Sequence, residues 1–105
     1  MIIKKGYIMG ETVTMGSFEW DSEKNALNAI KHGVRFEEAC RAFGDPGGVF
    51  LADQKHSQVE ERWLYFGKIE HRVLTIRFTY RESRIRIYGA GFWRIGGKVY
   101  EKKQN

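Results

Sequence analysis

The sequence predicts an α+β fold in two layers: two N-terminal helices packed on a mainly antiparallel sheet of about four strands, followed by a short basic C-terminal segment. Three observations predict it. Apolar residues recur at helical spacing between positions 21 and 43, the period falls to two from position 49 onward, and the chain turns strongly basic after position 61. Residues 1–61 hold 7 Lys and Arg against 10 Asp and Glu, a net of −3, whereas residues 62–105 hold 11 against 3, a net of +8. A chain of 105 residues, 42% hydrophobic and 14% aromatic, is long enough for one core and too short for two.

Each element has its own signal. Residues 1–17 mix Gly, Thr, Met and Lys without periodicity and read as a leader or a weak strand, with Met1, Met9 and Met15 all possible starts. A single domain is expected over 18–105. The first helix begins at Asp21 or Ser22 as N-cap, with Glu23 at the positive end of the dipole and Ala26, Leu27, Ala29 and Ile30 as a buried stripe. Gly33 ends it by its freedom to adopt the left-handed conformation, and Lys31 and His32 lie where cations favour the helix's negative end. Phe36, Ala39, Cys40 and Phe43 recur at i, i+3, i+4 and i+7 as a second short helix, closed by Gly44-Asp45-Pro46-Gly47-Gly48. Four strands follow at 49–52, 62–66, 72–80 and 84–88, rich in β-branched and aromatic residues and joined by polar turns. Arg84, Arg86 and Tyr88 alternate with Ile85 and Ile87, and Thr75, Arg77 and Thr79 with Leu74, Ile76 and Phe78, so one sheet face is apolar and the other basic. The helices are expected on the apolar face.

Composition also excludes classes of function. No apolar run approaches the roughly 18 residues needed to span a bilayer, and MIIKKGYIMG lacks a secretory apolar segment, so a cytoplasmic protein without membrane contact is expected. The single Cys40 rules out an internal disulfide framework, and no Cys/His spacing suits a metal site; Cys40 itself reads as a small buried hydrophobe. The basic half suits a polyanion, a nucleic-acid backbone or an acidic protein partner.

The ordered series Phe18-Glu19-Trp20-Asp21, Lys24, Asn28, Lys31-His32-Gly33-Val34, Phe36-Glu37-Glu38-Ala39, Asp45-Pro46, Asp53, His56-Ser57, Glu60-Glu61-Arg62, Gly67, Arg72-Val73-Leu74 and Arg84-Ile85-Arg86-Ile87 resembles the BrnT toxin family. The resemblance implies a RelE-like endoribonuclease toxin of a type II toxin–antitoxin system. It further implies RNA as substrate, a BrnA-type antitoxin as partner, contact with promoter DNA only through the antitoxin complex, and no cofactor. Where many members of the family continue the last strand into a Ser-Ala-Arg element, this chain has Gly89-Ala90-Gly91-Phe92-Trp93-Arg94, with Arg94 as the available substitute.

RNA cleavage without a metal needs a group to take the 2′-OH proton, cations to hold the phosphorane's charge and an acid for the leaving oxygen. Arg77 and Arg86, on neighbouring strands near Tyr88, are the strongest phosphate candidates, with Arg62 beside them, because a planar guanidinium pairs with phosphate oxygens. His56, in the polar stretch 53–61, and Tyr88 are the candidates for proton transfer, and Glu61 for orienting Arg62 or His56. Arg84, Arg94 and Lys98 are expected to attract the RNA backbone. His71 sits at a turn, and helix termination accounts for His32. The alternative is a non-catalytic module whose basic face only binds an antitoxin or nucleic acid.

Overall fold

The computed structural model describes residues 10–105 together with the backbone of 3–4 and 7–8; the start-site candidates Met1 and Met9, and most of the leader before residue 10, lie outside the described residues. Two short strands, β1 (Ile3–Lys4) and β2 (Tyr7–Ile8), pair with each other as a separate ribbon. The remaining strands, β3 (Thr12–Met15), β4 (Phe18–Asp21), β5 (Val49–Ala52), β6 (Arg62–Ile69), β7 (Arg72–Arg81) and β8 (Arg84–Gly91), form one sheet in the order β3-β4-β8-β7-β6-β5. Three helices accompany it: α1 (Ser22–His32), α2 (Phe36–Ala39), which runs on into a 3-10 turn over Cys40–Gly44, and α3 (Arg94–Gln104).

The expected fold class therefore needs correction. The sheet has six strands rather than four and is mixed, because β4 runs parallel to β8 with Phe18 opposite Ile85 and Trp20 opposite Ile87. The meander of β5 to β8 is as expected; the extra pair comes from the tract read as leader and helix approach. β3 is an edge strand of four residues, all exposed, so its Thr-Val-Thr-Met alternation is too brief to mark a strand, and its two-residue turn to β4 depends on Gly16 at φ 61°. The C-terminal segment is an eleven-residue helix, although Gly96-Gly97 disfavours one. Gly96 is what lets α3 approach the sheet, since a Cβ there would collide with Thr75 Oγ1 and press on Phe66. Asp45 then fixes the helix, accepting hydrogen bonds from Tyr100 Oη (2.7 Å), the Lys68 N–H (2.7 Å) and the Gly47 N–H (2.8 Å).

The α1–α2 corner also departs from the expected stripe. Asp21 caps α1 through a bond from the Lys24 N–H (2.9 Å), and Gly33, at φ 71°, closes it with its N–H on Ala29 O, both as the sequence implies. Yet Ile30 is 82% exposed and Leu27 is exposed, while Asn25 and Asn28 are buried. The two amides do work that apolar groups cannot. Asn25 Oδ1 accepts the Phe36 N–H (2.7 Å) and its Nδ2 donates to Glu37 (2.7 Å). Asn28 Nδ2 donates to Val34 O and Ala90 O (both 2.9 Å), and its Oδ1 accepts the Ala90 N–H (3.2 Å). β4 covers the edge of β8 only as far as Ile87, so Asn28 serves as the strand partner for the next stretch.

The main core lies between the helices and the face carrying Ile76, Phe78 and Ile87. Phe43 anchors it, stacked on Tyr65 at 4.3 Å and edge-on to Phe78 at 5.8 Å, with Phe18 and Phe50 beside it. Cys40 is half-buried there, and burial, with Glu37 nearby, pushes its thiol up to about 12, so it is an inert packing group. α3 packs on the opposite face over β6 and β7, covering Phe66 and Thr75 and leaving the basic face open from Arg77 outward.

Candidate RNA-cleaving face

Register decides which side chains meet. Arg62 lies opposite Thr79 and Thr79 opposite Arg86; one step along, Leu64 lies opposite Arg77 and Arg77 opposite Gly89. A bulge at Arg77/Phe78 leaves Tyr88 without a partner on β7. Its consequence is a change of phase: Arg86 and Tyr88 stand on the Arg77 face, and from there on Gly89 and Gly91 occupy that face while Ala90 returns to the core. The Arg77 stem crosses Gly89, and its guanidinium rests over the Trp93 ring at 4.9 Å. Arg62 rests over the Tyr88 ring at 4.4 Å. Two guanidinium groups thus flank one phenol.

Their charges are not equally available. Arg86 is half-buried in an ion pair with Glu19 (2.8 Å) and also donates to Thr12 Oγ1 (3.4 Å), so much of its charge is already answered. Arg62 has Glu60 at 3.6 Å, and Glu60 is shared with Arg81 at 3.7 Å. Arg77 forms no ion pair among the described residues and is exposed. The Tyr88 hydroxyl is buried and makes no hydrogen bond of good geometry among the described residues, although the Arg62 guanidinium lies close enough to act on it as a weak donor. Burial raises its pKa, only partly offset by Arg62 and Arg77, so the phenol keeps its proton at neutral pH.

His56 ends a 3-10 turn (Gln54–His56) with Nδ1 2.9 and 3.1 Å from the Asp53 carboxylate oxygens. An ionised carboxylate only accepts, so the pairing calls for a proton on Nδ1. The ring is half-exposed and Asp53 is largely buried. Ser57 ties this turn to β6: its Oγ accepts the Arg62 N–H (2.9 Å) and donates to Asp53 O (2.7 Å). The orienting carboxylates are thus Asp53 for His56 and Glu60 for Arg62, while Glu61 is exposed and offers its backbone oxygen to Thr79 Oγ1 (2.6 Å). Arg62 also lines a hollow of about 480 Å³ that His56 shares. Tyr88 and Arg77 line a second, of about 240 Å³, that reaches α1. The candidates His56, Arg62, Tyr88 and Arg77 therefore form one track.

The other candidates lie off it. Arg84 donates to Gly16 O (3.4 Å) and lines a separate hollow with Glu19 and Glu82. Arg94, the first residue of α3, and Lys98 are exposed and line neither hollow of the track. Sequence reasoning did not assign Asp53 to His56 or Trp93 to Arg77. The Asp-x-x-His spacing at 53–56 was the available signal for the first; nothing local marks Trp93 as the platform for Arg77. No group of three His, Cys, Asp or Glu suited to a metal ion occurs among the described residues, and no helix among them is long and apolar enough to cross a membrane.

Two comparisons bear on identity. No curated protein matches the chain. The family described as "Ribonuclease toxin, BrnT, of type II toxin-antitoxin system" matches residues 20–93, a stretch that contains the whole track from Asp53 to Trp93. Such a family implies an RNA substrate and an antitoxin partner. The chain belongs to the BrnT family of ribonuclease toxins of type II toxin–antitoxin systems.

Proposed function

We propose that this chain cleaves RNA without a metal ion, that the cleavage inhibits translation, and that a cognate BrnA-type antitoxin neutralises it and alone brings the pair to promoter DNA. The observation that carries the reading is the protonated Tyr88 hydroxyl flanked by Arg62 and Arg77, with the Asp53–His56 pair on the same track. In this scheme His56 Nε2 takes the proton of the 2′-OH as its oxygen bonds to phosphorus. Arg77 and Arg62 hold the two charged oxygens of the phosphorane. The bond from phosphorus to the 5′ oxygen then breaks, Tyr88 gives that oxygen a proton, and a 2′,3′-cyclic phosphate and a 5′-hydroxyl end result. A substrate phosphate that draws Arg62 off the ring uncovers the hydroxyl for this step. Stacking on Trp93 preorganises the Arg77 guanidinium at little entropic cost.

Inducing the protein in a bacterial host without its antitoxin tests the reading: growth should arrest and bulk mRNA should fall. Normal growth with soluble expression would favour the second reading, a binding module that no longer cleaves. What supports that alternative is the Gly89-Ala90-Gly91 stretch and the exposed Arg94, which lines neither hollow of the track.

A further inference from the structure

The track does not end at Arg77. The hollow it shares with Tyr88 is walled on its far side by Lys24, Lys31 and His32 of α1, with Trp93 as its floor, and no carboxylate lines it. His32 stands edge-on to Trp93, ring centroids 5.1 Å apart, so helix termination is not its whole role. Lys24 and Lys31 are seven residues apart on one helix face and both are exposed. None of Lys24, Lys31 and His32 has an ion-pair partner among the described residues. The helix dipole explains Lys31 and His32, which lie in the last turn, but it disfavours Lys24, which lies in the first turn beside the positive end. A cation kept at a position that opposes the dipole, facing Arg77 across a cleft free of carboxylates, fits an anion.

We infer that this cleft is a second phosphate subsite, which holds the phosphate of the nucleotide next to the cleaved one. It rests on the ribonuclease reading above and gives the RNA a direction: from His56 and Arg62, across Tyr88 and Arg77, to the C-terminal end of α1. Single-stranded RNA is the substrate that fits, because the strand must bend off the sheet face onto the helix, which an unpaired strand does more readily than a duplex.

The test measures binding of a fluorescein-labelled single-stranded deoxyoligonucleotide, which lacks the 2′-OH and is not cleaved, across a salt series. Lys24→Gln/Lys31→Gln should weaken binding roughly tenfold and reduce the slope of log affinity against log salt by about 0.7, the loss of one phosphate contact. Lys102→Gln/Lys103→Gln, in the last turn of α3, removes the same charge and should leave the slope unchanged. In cleavage the α1 variant should raise KM and leave kcat nearly intact. Equal slopes for the two double variants, loss of antitoxin binding alone, or no oligonucleotide binding by the parent would each overturn the subsite. Both lysines are exposed, so folding should survive, and the single variants provide a second reading if the double variant does not fold. A slope change in a protein that cleaves no RNA would leave the subsite standing and remove the ribonuclease reading.

Discussion

Replacing Asn28 with Leu tests how the site is held. The substitution keeps the number of side-chain heavy atoms and removes three hydrogen bonds, leaving the Ala90 N–H, the Ala90 carbonyl and the Val34 carbonyl without partners where both residues are buried. An unsatisfied buried group costs about 1–3 kcal/mol. With some rescue by water, a loss of about 3 kcal/mol is expected, a large share of the roughly 5–15 kcal/mol that stabilises a domain. At a urea slope of about 2 kcal/mol/M, the unfolding midpoint should fall by about 1.5 M. Cleavage should suffer beyond the loss of folded protein, because Ala90 follows the Gly89 that carries the Arg77 stem. Ile30→Ser is the control: with Ile30 82% exposed, its stability should change by no more than about 0.5 kcal/mol, a midpoint shift of about 0.25 M at the same slope. A midpoint change below about 0.5 M for Asn28→Leu, or a larger one for Ile30→Ser, would refute the assignment of the amides rather than the apolar stripe as the determinants of this corner.

Two further outcomes follow from the caps and anchors. Gly33→Ala should cost about 1 kcal/mol in chemical denaturation, since there is space for the methyl group but φ is 71°. Asp45 has a folded pKa below its ordinary value: burial alone would raise it, but bonds from the Lys68 N–H, Tyr100 Oη and the Gly47 N–H outweigh that. A depressed carboxylate pKa stabilises the fold above its unfolded value near 4 and loses that stability as pH falls through the lower folded value. Melting temperature should therefore drop with acid below about pH 4 and more shallowly in Asp45→Asn, which should already be less stable at pH 7; parallel pH profiles would exclude Asp45 as the acid-sensitive anchor of α3.

The legible part of the chain is the part governed by side-chain period. The alternation at 72–88 gave both the meander and the basic face, and Asp21 and Gly33 gave the ends of α1 because caps are local chemistry. What was not legible depends on partners distant in sequence. β3 alternates over only four residues and both its faces meet solvent, and the short β4 borrows its identity from β8, more than 60 residues away. The apolar stripe at 26–30 misled because the corner it borders is built from carbonyls and N–H groups, which require amides. α3 was hidden because Gly96 serves an approach to Thr75 that no helix propensity anticipates. In the site, Arg77 and Tyr88 came from the alternation, whereas the bulge that brings them together, the Trp93 platform and the Glu19 that answers Arg86 are matters of register.

The central claim is that an exposed Arg77, preorganised on Trp93 beside a protonated Tyr88, stabilises the charge that develops on a scissile phosphate. Its most direct measurement is single-turnover cleavage of single-stranded RNA by purified parent and Arg77→Gln proteins in the presence of a chelator. The account predicts cleavage by the parent and a loss on the order of 100-fold in the variant, because the phosphorane's extra charge needs a positioned guanidinium. Binding of the uncleavable oligonucleotide should change only a few-fold, and the melting temperature should be unchanged. Equal cleavage by the two folded proteins would contradict it.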